Sequence, residues 1–559
     1  MLHFLTPGAM RTKKGCILVD GYSLLVTKNL DIALEHLTPE TQPLTLWIDA
    51  LCINQDDEVE KTEQVRQMKW IYSQATSVIT WLGPAADDSD VAMRWIQDCG
   101  SLAQGFGIAT KPELRLGQLL ETFESDPSKL PDPGLEEFLE GIFAQLSSGT
   151  RGIIGAALSQ LFKRPYWSRV WVVQELVHGK YLQFRCGNIT ASEEHFHQSL
   201  RLLRDFRRYM LVKSAQHPQS TAPGLASTDL NTGKPINIFK VKMAAGSCPL
   251  IYLIRTFRYF KATDSRDKIF ALLSFASDAA ELGLYPDYQK GCRDVYLQAT
   301  LSLLKAGFLD ILSLCHINKS IPGLPSWVPD FTVLSYRVAL QERAMNRQIV
   351  PSSTVLQPRF SASGDARQNI LLESSLPSLL LHGKFLAEIQ RVGTIWEPGA
   401  FQLWLQEISG FHHPEADSDH LRAVWRTAVA DQQIRRLEEK PRLSSLVLEQ
   451  VNSSLKGLDL ATVDTQMFTT LGLSDYLFQL QHVARNRRPF VTSIGHLGIG
   501  PREMEPGDHL YIFIGAHVPY VLRPNANGSL QIIGEAYMHG VMDGAAMDHG
   551  NPVEVISIY

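Results

Sequence analysis

The strand–helix–strand pattern between residues 44 and 83 constrains the fold of this chain more than any other feature. Two short apolar runs, 44–49 and 77–82, are typical of buried strands, and Gly83 and Pro84 close the second. Between them, apolar residues recur at helical spacing over 59–75. A strand, a helix and a second strand in this order predict a right-handed βαβ unit, and therefore a parallel sheet in an N-terminal α/β domain.

Shorter patterns extend this domain on both sides. Asp20 and Gly21 lie between the apolar runs 17–19 and 22–26, which predicts a β-hairpin, and a helix is expected over 29–37. The later elements predicted are a helix at 166–177, a strand at 181–186 and a helix capped by Ser192.

Composition and charge narrow the possible functions. The chain has 559 residues, of which 45% are hydrophobic and 20% charged, enough for about two to four domains with their own cores. The formal net charge is −5, without a basic patch interleaved with aromatics, so nucleic acid is not an expected partner. The seven cysteines form no CxxC pair, which is typical of a reducing compartment, and no run of about 18 apolar residues predicts a membrane span. We therefore expect a cytoplasmic protein.

Changes in composition along the chain predict four regions. The α/β domain spans 1–190, and 191–250 comprises a helix followed by a polar linker rich in Ser, Thr, Pro and Gly. A mostly α-helical region is expected over 251–500. The last region, 501–559, has short apolar runs separated by turn residues, which predicts a small β module.

The stretch richest in metal-ligand side chains lacks the spacing of a metal site. His412 and His413 lie near acidic residues, but adjacent histidines followed by Pro414 do not share a helix face. A phosphate-binding loop of the form GxxxxGK[ST] does not occur. We therefore expect a solvated loop at 411–420, and neither a metal site nor a bound cofactor.

Two separate segments, 46–83 and 164–176, carry a dense set of motif residues. These are Trp47, Asp49, Cys52, Ile53, Asn54, Gln55, Glu60, Gln64, Val65, Met68, Ile71, Tyr72, Ala75, Trp81, Leu82 and Gly83, and then Arg169, Trp171, Gln174 and Glu175. They strongly resemble the fungal heterokaryon incompatibility domain, called the HET domain. The resemblance implies a protein of fungal non-self recognition and programmed cell death signalling, with homo-oligomers or other incompatibility proteins as partners. The later stretches that look like segments following HET domains are 262–273, 285–288, 325–331 and 507–544.

The chain departs from the family pattern at both ends. HET domains normally open with a strand and loop of the form Y-x-A-L-S-Y-x-W-G, and nothing between Met1 and Lys14 matches it. We therefore expect the first strand to be missing, either because the sequence starts too late or because this copy is degenerate. Near the other end, Ala545 follows Gly544 where the family has an acidic residue, so any role of that carboxylate is absent.

A weaker resemblance links this domain to Toll/interleukin-1 receptor (TIR) domains. Ser168, Trp171, Glu175 and Leu176 are close to the TIR pattern S-x-W-C-x-x-E-L, with Val172 at the Cys position and one extra residue before Glu175. The resemblance implies a TIR-like or flavodoxin-like parallel sheet with a helical insertion. Because some TIR domains hydrolyse NAD through this glutamate, it also implies that Glu175 is catalytic and that Trp171 contacts an NAD-like substrate. The structural alternative is that Glu175 hydrogen-bonds neighbouring strand ends and that Trp171 packs in the core.

Three polar residues after the first predicted strand are candidate ligand-binding residues. Ligands of open parallel α/β sheets bind beyond the carboxyl ends of the strands, where Asp49, Asn54 and Gln55 are expected. Alternatively, Asp49 or Asn54 forms an Asx-turn and Asp56 or Asp57 caps the following helix. The function is therefore either that of an enzyme acting on NAD-like nucleotides or that of a non-enzymatic interaction module, with a degenerate inactive copy as a variant of the second.

Overall fold

The computed structural model describes residues 2–7, 14–38, 43–107, 133–147, 153–203, 230–244, 246–333, 338–341, 360–364, 378–411, 418–433, 442–460, 462–526, 528–548 and 550–559. The histidine-rich stretch 412–417 and much of the expected linker, 204–229, lie outside these residues. The chain divides into two compact units: the first comprises Met1–Ala280 and Tyr285–Gln289, and the second comprises Glu281–Leu284 and Lys290–Tyr559.

The strands of the first unit form a mostly parallel sheet and a separate hairpin. They are β1 (Leu2–Pro7), β2 (Lys14–Val19), β3 (Tyr22–Thr27), β4 (Thr45–Trp47), β5 (Ser77–Trp81), β6 (Leu182–Cys186) and β7 (Ile189–Ser192). The sheet has the order β4-β1-β5-β6-β7, while β2 and β3 pair with each other. β1 is parallel to β4 and β5, β6 is parallel to β5, and β7 is antiparallel to β6. The predicted parallel sheet and hairpin are therefore present.

The helices of the first unit agree closely with the helical periodicity of the sequence. The helices expected at 29–37 and 59–75 begin one residue early, and the side chains of Thr27 and Asp57 cap them by accepting backbone N–H groups. The helices are α1 (Lys28–Leu37), α2 (Asp49–Cys52), α3 (Glu58–Gln74), α4 (Ser89–Phe106), α5 (Pro133–Ser147), α6 (Ile153–Lys163), α7 (Trp171–His178), α8 (193–203), α9 (Gly233–Met243), α10 (Leu250–Phe257) and α11 (Asp267–Leu273), with a 3-10 turn at Pro165–Ser168.

Strand β1 corrects the expectation that the first strand is missing. Its backbone pairs on both sides, with His3 opposite Leu46 of β4 and Ser77 of β5. The expectation came from side-chain identities in a family motif, whereas a central strand requires extended backbone with a hydrogen-bonding partner on each side. β1 therefore lies between the two strands predicted from residues 44–83.

Strand β4 is shorter than predicted, because the chain turns into α2 at Asp49. The amides of Leu51 and Cys52 both donate to the carbonyl of Ile48, at 2.9 and 2.8 Å. An apolar run does not reveal such a turn, since the same residues can be buried from a strand or from one helical turn. The polar residues that follow are therefore presented by a short helix and loop instead of by the strand itself.

Two clusters of buried side chains hold this unit together. Trp167 is fully buried and stacks with Phe184 and Phe196, at ring-centroid distances of 6.0 and 5.6 Å. Burial of a large apolar side chain contributes roughly 1.5–3 kcal/mol, so this stack firmly holds the segment that leads into α7. The second cluster, beneath α1, comprises Val26, Leu30, Ala33, Leu37, Ile48, Ile79 and Trp81.

The second unit is built around an eight-stranded sheet. Its strands are β8 (Leu379–Val392), β9 (Arg487–Thr492), β10 (Leu497–Pro501), β11 (His509–Phe513), β12 (Tyr520–Pro524), β13 (Leu530–Glu535), β14 (Tyr537–Met538) and β15 (Val553–Ile558). Their order is β11-β12-β13-β15-β8-β9-β10-β14, and β8 also pairs with β11.

Helices of the second unit lie mostly between β8 and β9 in sequence. They are α12 (Cys292–Lys305), α13 (Phe401–Gly410), α14 (Ser418–Ala428), α15 (Ser445–Leu455), α16 (Thr465–Thr470), α17 (Ser474–Ala484) and α18 (Ala545–Asp548), with 3-10 turns at Leu309–Leu314 and Pro398–Ala400. Throughout the described parts of the chain, every helix is too short or too polar to cross a bilayer.

Strand β8 lies in the region that was expected to be mostly helical. It has 14 residues and pairs with β15, β11 and β9. Its leucine-rich start suits a buried helix or a buried strand equally well, and its partners lie far along the chain. The C-terminal β structure is therefore larger than the predicted module at 501–559.

Candidate functional site

Buried polar side chains collect at the carboxyl end of the parallel strands. β5 contributes Thr80, one residue before the strand ends, and the 3-10 turn before α7 contributes Tyr166. The Tyr166 hydroxyl lies 3.2 Å from Glu175 Oε2 and 3.5 Å from Thr80 Oγ1. Tyr166 and Glu175 are each only 1% exposed. Ligands of α/β sheets bind at this end of the strands, so the cluster lies where a site is expected.

Helix α7 buries a carboxylate among mostly apolar side chains, with Gln174 as the other buried polar residue. Val172, Val173 and Leu176 are buried, and Glu175 is buried among them. An ionised carboxylate is costly to bury without hydrogen-bond donors, and the Tyr166 hydroxyl supplies one. The position of Glu175 therefore depends on groups from outside its own helix.

Tyr72 of α3 connects the two carboxylates that were predicted as site residues. It is buried, and its ring lies edge-on to that of Trp47 at the end of β4, with 6.4 Å between centroids. Burial raises the pKa of Tyr72 well above its ordinary value, and the negative charges of Glu175 and Asp49 raise it further. The charges of Glu175 and Asp49 thus both act on the same phenol.

Arg169 adds a positive charge to this cluster. Burial, followed by the charge of Glu175, raises the pKa of Tyr166 well above its ordinary value, whereas Arg169 acts to lower the pKa of both phenols. Tyr72 and Tyr166 therefore stay protonated at neutral pH, and the Tyr166 hydroxyl donates a hydrogen bond to Glu175. The cluster combines two carboxylates, two phenols and a guanidinium. Its carboxylates can accept hydrogen bonds from hydroxyl groups and stabilise developing positive charge, whereas the guanidinium acts against that charge.

Comparison with known proteins assigns this region to a family. Residues 6–175 match the family model described as heterokaryon incompatibility protein (HET). The chain contains a HET domain. Residues 457–554 match the model described as Het-6 beta-barrel domain. The chain is also similar to heterokaryon incompatibility protein 6, OR allele, of Neurospora crassa, with 26% identity over 94% of this chain and 85% of that protein. No solved structure matches the chain.

In the HET domain, the loop after α2 closes on itself through hydrogen bonds. Asn54 Oδ1 accepts from the Asp56 amide at 3.2 Å, and the Asn54 amide donates to Glu60 Oε1 at 2.9 Å. Gln55 Nε2 donates to the Asp49 carbonyl at 3.2 Å. The side chains of Asn54 and Gln55 are exposed, whereas Asp49 is half-buried. The Asx-turn considered for Asn54 is therefore present, and Asp49 is the candidate that lies near the buried cluster.

The Trp171 indole is directed toward a different carboxylate. Its Nε1 donates to Asp267 Oδ2 at 2.9 Å, and the Tyr288 hydroxyl donates to Asp267 Oδ1 at 2.5 Å. Burial raises the pKa of Asp267 to about 6, although the two donated hydrogen bonds act in the opposite direction. Trp171 therefore links the HET domain to a later stretch of the chain.

Four residues that carry these contacts were not named as site residues from the sequence: Tyr72, Tyr166, Asp267 and Tyr288. The sequence signal that could have identified these residues is a polar group at a position that the apolar pattern predicts to be buried. Tyr72 occupies the buried face of a predicted helix and is one of the motif residues, and Tyr166 lies within the matched segment 164–176 that also contains Glu175. Such a phenol needs a partner once it is buried, which identifies it as part of a polar cluster but does not identify the partner.

The described residues do not provide a metal site. Within them, no group of three or more His, Cys, Asp or Glu side chains is arranged to hold a metal ion.

Proposed function

We propose that this chain acts in the cytoplasm in fungal non-self recognition, and that its HET domain signals programmed cell death by acting on NAD-like nucleotides through Glu175. The HET match and the similarity to heterokaryon incompatibility protein 6 support the first part. One observation carries the second part: the Glu175 carboxylate is buried at the carboxyl end of a parallel sheet, beside Tyr166 and Tyr72.

The strand order supports a flavodoxin-like or TIR-like interpretation of this sheet. Among the parallel strands, β4-β1-β5-β6 corresponds to the order 2-1-3-4 along the chain, which is how the flavodoxin-like order begins. Ligands of such sheets bind outside the first and third strands, here β1 and β5. Thr80 lies at that end of β5, and α4, α5 and α6 form the expected helical insertion between β5 and β6.

A carboxylate at this position has a defined role in cleaving an NAD-like nucleotide. The bond between ribose and nicotinamide breaks with its electron pair passing to nicotinamide, and positive charge develops on the ribosyl ring. Glu175 stabilises that charge and Asp49 accepts hydrogen bonds from ribose hydroxyls. Water then adds to the ribosyl carbon and releases a proton to the solvent, which completes hydrolysis. The nucleotide is the substrate in this scheme and not a resident cofactor.

The burial of Glu175 adds a requirement for activation. At 1% exposure, the carboxylate does not reach a substrate in this conformation. Tyr166, whose hydroxyl bonds this carboxylate, must move aside before a ribose can approach it. We propose that assembly with a second copy, or with another incompatibility protein, supplies this opening.

The test is expression of the full chain in a heterologous fungus, with NAD content and viability measured together. We expect loss of NAD followed by death for the wild type, and neither for Glu175→Gln. Glutamine has the same shape and can still accept the Tyr166 hydroxyl, so folding is preserved while the negative charge is removed. Death with unchanged NAD, or equal NAD loss in Glu175→Gln, would contradict the enzymatic function.

Two control variants separate charge from folding. Glu63→Gln removes an exposed carboxylate from α3, and we expect it to behave as wild type. Tyr166→Phe keeps the buried ring but removes the hydroxyl that holds Glu175, so we expect intermediate NAD loss. Protein levels are compared by immunoblot, since a variant that fails to accumulate gives a false negative.

A specific surface favours the second function, a non-enzymatic interaction module. The β2–β3 hairpin exposes Leu18, Tyr22 and Leu25 by 74%, 80% and 63%. Exposed apolar groups on neighbouring positions are typical of protein-binding surfaces. If this function is correct, Leu18→Asp abolishes death while NAD stays constant, and Ser23→Asp, opposite Leu18 on the hairpin, has a smaller effect.

A further inference from the structure

A second buried carboxylate in the first unit is not used by the proposed chemistry. Asp267, the first residue of α11, is 5% exposed. One of its oxygens accepts the Trp171 indole N–H at 2.9 Å, and the other accepts the Tyr288 hydroxyl at 2.5 Å. Both donors come from other segments, so Asp267 joins three parts of the chain through directional bonds.

Tyr288 connects this carboxylate to helix α3. The Tyr288 amide donates to Thr62 Oγ1 at 3.0 Å, and the Lys61 ammonium lies 4.2 Å from the centre of the Tyr288 ring. One turn further along, Arg66 donates to the carbonyl of Pro286 at 3.1 Å. Helix α3 also carries Tyr72, so the stretch 285–288 holds the helix that contributes a phenol to the Glu175 cluster.

Trp171 connects the same carboxylate to helix α7. Trp171 and Glu175 lie one turn apart on a helix of eight residues, so a displacement of the indole moves the carboxylate with it. The residues just before α7 are also held by a later segment. The amide of Val170 donates to the Lys261 carbonyl at 2.9 Å, and the Lys261 amide donates to the Ser168 carbonyl at 2.5 Å.

We propose that Asp267 is a positioning residue for Glu175, which sets the placement of α7 against α3 by accepting hydrogen bonds from Trp171 and Tyr288. The effect of Asp267 on turnover rests on the function proposed for Glu175. Its effect on the placement of α7 does not. Asp267 itself touches no substrate. The HET domain match ends at residue 175, so this role makes a later stretch of the chain part of the machinery that orients the site.

The chemistry of the contact distinguishes positioning from simple packing. An apolar residue at 267 would fill the same volume without the desolvation that an ionised carboxylate incurs. A carboxylate with both oxygens occupied fixes the direction of the indole and of the phenol, which apolar contacts do not. The cost of burying Asp267 is therefore consistent with a requirement for defined geometry.

The purified full chain and three variants test this role. Asp267→Asn leaves one acceptor oxygen for two donors, and Trp171→Phe keeps a ring but removes the N–H. Asp264→Asn is the matched control, because Asp264 bonds Arg266 and Lys61 instead of α7. Hydrogen exchange by mass spectrometry reports on α7, with α4 as reference, and steady-state assays give kcat and KM for NAD.

We expect exchange in α7 to accelerate about tenfold in Asp267→Asn and Trp171→Phe, and kcat to fall on the order of tenfold with little change in KM. Asp264→Asn should match the wild type in both. Equal α7 exchange in Asp267→Asn and Asp264→Asn would overturn the proposal, as would faster exchange with unchanged kcat in an active wild type. If wild type and Glu175→Gln consume NAD equally, the proposed function fails and the exchange result alone decides the role of Asp267.

Discussion

At the scale of single residues, two buried titratable groups near α7 have pKa values displaced in opposite directions. Burial raises the pKa of Asp267 to about 6 and lowers the pKa of His178 to about 4. Between these values, folded Asp267 retains a proton that the unfolded chain has lost, so stability falls as pH rises. Folded His178 lacks a proton that the unfolded chain binds, so stability rises as pH rises. The two contributions oppose each other across the same pH range.

Replacing His178 with Gln isolates one of these contributions. The quantity to compare is the free energy of unfolding of the wild type minus that of His178→Gln. We expect this difference to rise by about 3 kcal/mol between pH 4 and pH 7, because a pKa lowered by about two units corresponds to that energy. Urea denaturation at four pH values measures the difference. A difference that does not change with pH would show that His178 titrates normally in the folded chain.

Replacing Asp267 with Asn isolates the other contribution, with the opposite sign. The free energy of unfolding of the wild type, minus that of Asp267→Asn, should fall by about 2 kcal/mol between pH 4 and pH 6. The same denaturation series measures it, and Glu63→Gln, which removes an exposed carboxylate, serves as control. A rising difference would mean that the hydrogen bonds from Trp171 and Tyr288 outweigh the cost of burial.

Sequence reasoning identified the candidate site only in part. Glu175 and Asp49 were named, and the charges of both act on the buried Tyr72 phenol. Asn54 and Gln55 were named with them, but their exposed side chains bond within their own loop. The direction in which a side chain points depends on how distant segments pack together. The spacing of residues along the sequence gives no information about that packing.

At the scale of elements, local chemistry made the short elements of the first unit predictable. Asp20 and Gly21 both adopt positive φ, at 51° and 81°, as a two-residue hairpin turn of this kind requires. The limits of α1 and α3 likewise follow from helical spacing and from their capping residues. β1 and β8 were missed because each is stabilised as a strand by hydrogen bonds to segments elsewhere in the sequence. A short apolar run does not indicate which distant segment it pairs with.

The capping residue of α3 provides a test at this scale. Asp57 Oδ1 accepts the amides of Val59 and Glu60 at 2.9 and 3.1 Å. Asp57→Ala should lower the free energy of unfolding by about 1 kcal/mol, since these amides lose their partner. Urea denaturation measures the loss, with Asp56→Ala, an exposed residue one position earlier, as the matched control. Equal losses in the two variants would assign the effect to charge instead of capping.

At the scale of the whole molecule, the second unit depends on a buried ion pair between distant strands. Arg487 of β9 and Glu535 of β13 are both fully buried, with 2.9 Å between Nη2 and Oε1. Glu535 Oε1 also accepts the Leu340 amide at 2.5 Å. The pair therefore joins the two halves of the eight-stranded sheet and the chain that precedes it.

Removing one charge of this pair should be costly. Glu535→Gln leaves the Arg487 charge buried without its counter-charge, and we expect the free energy of unfolding to fall by about 3–5 kcal/mol. The matched control is Glu505→Gln, whose carboxylate is 64% exposed beside Arg523 and should change stability by less than about 1 kcal/mol. Chemical denaturation distinguishes the two, and similar small losses would mean that the buried charge is compensated by the Val483 and Val338 carbonyls.

The position of β8 in the second sheet has a consequence for synthesis of the protein. During translation, β8 leaves the ribosome long before its partners β9, β11 and β15 are synthesised. Until then the backbone hydrogen-bonding groups at both edges of this 14-residue strand are unpaired, so the nascent chain needs protection from aggregation. A nonsense mutation after residue 501 would spare every residue of the HET domain yet leave β8 without β11 and β15. We expect such a transcript to yield an insoluble product that is degraded, so that late truncation silences the HET domain instead of releasing it.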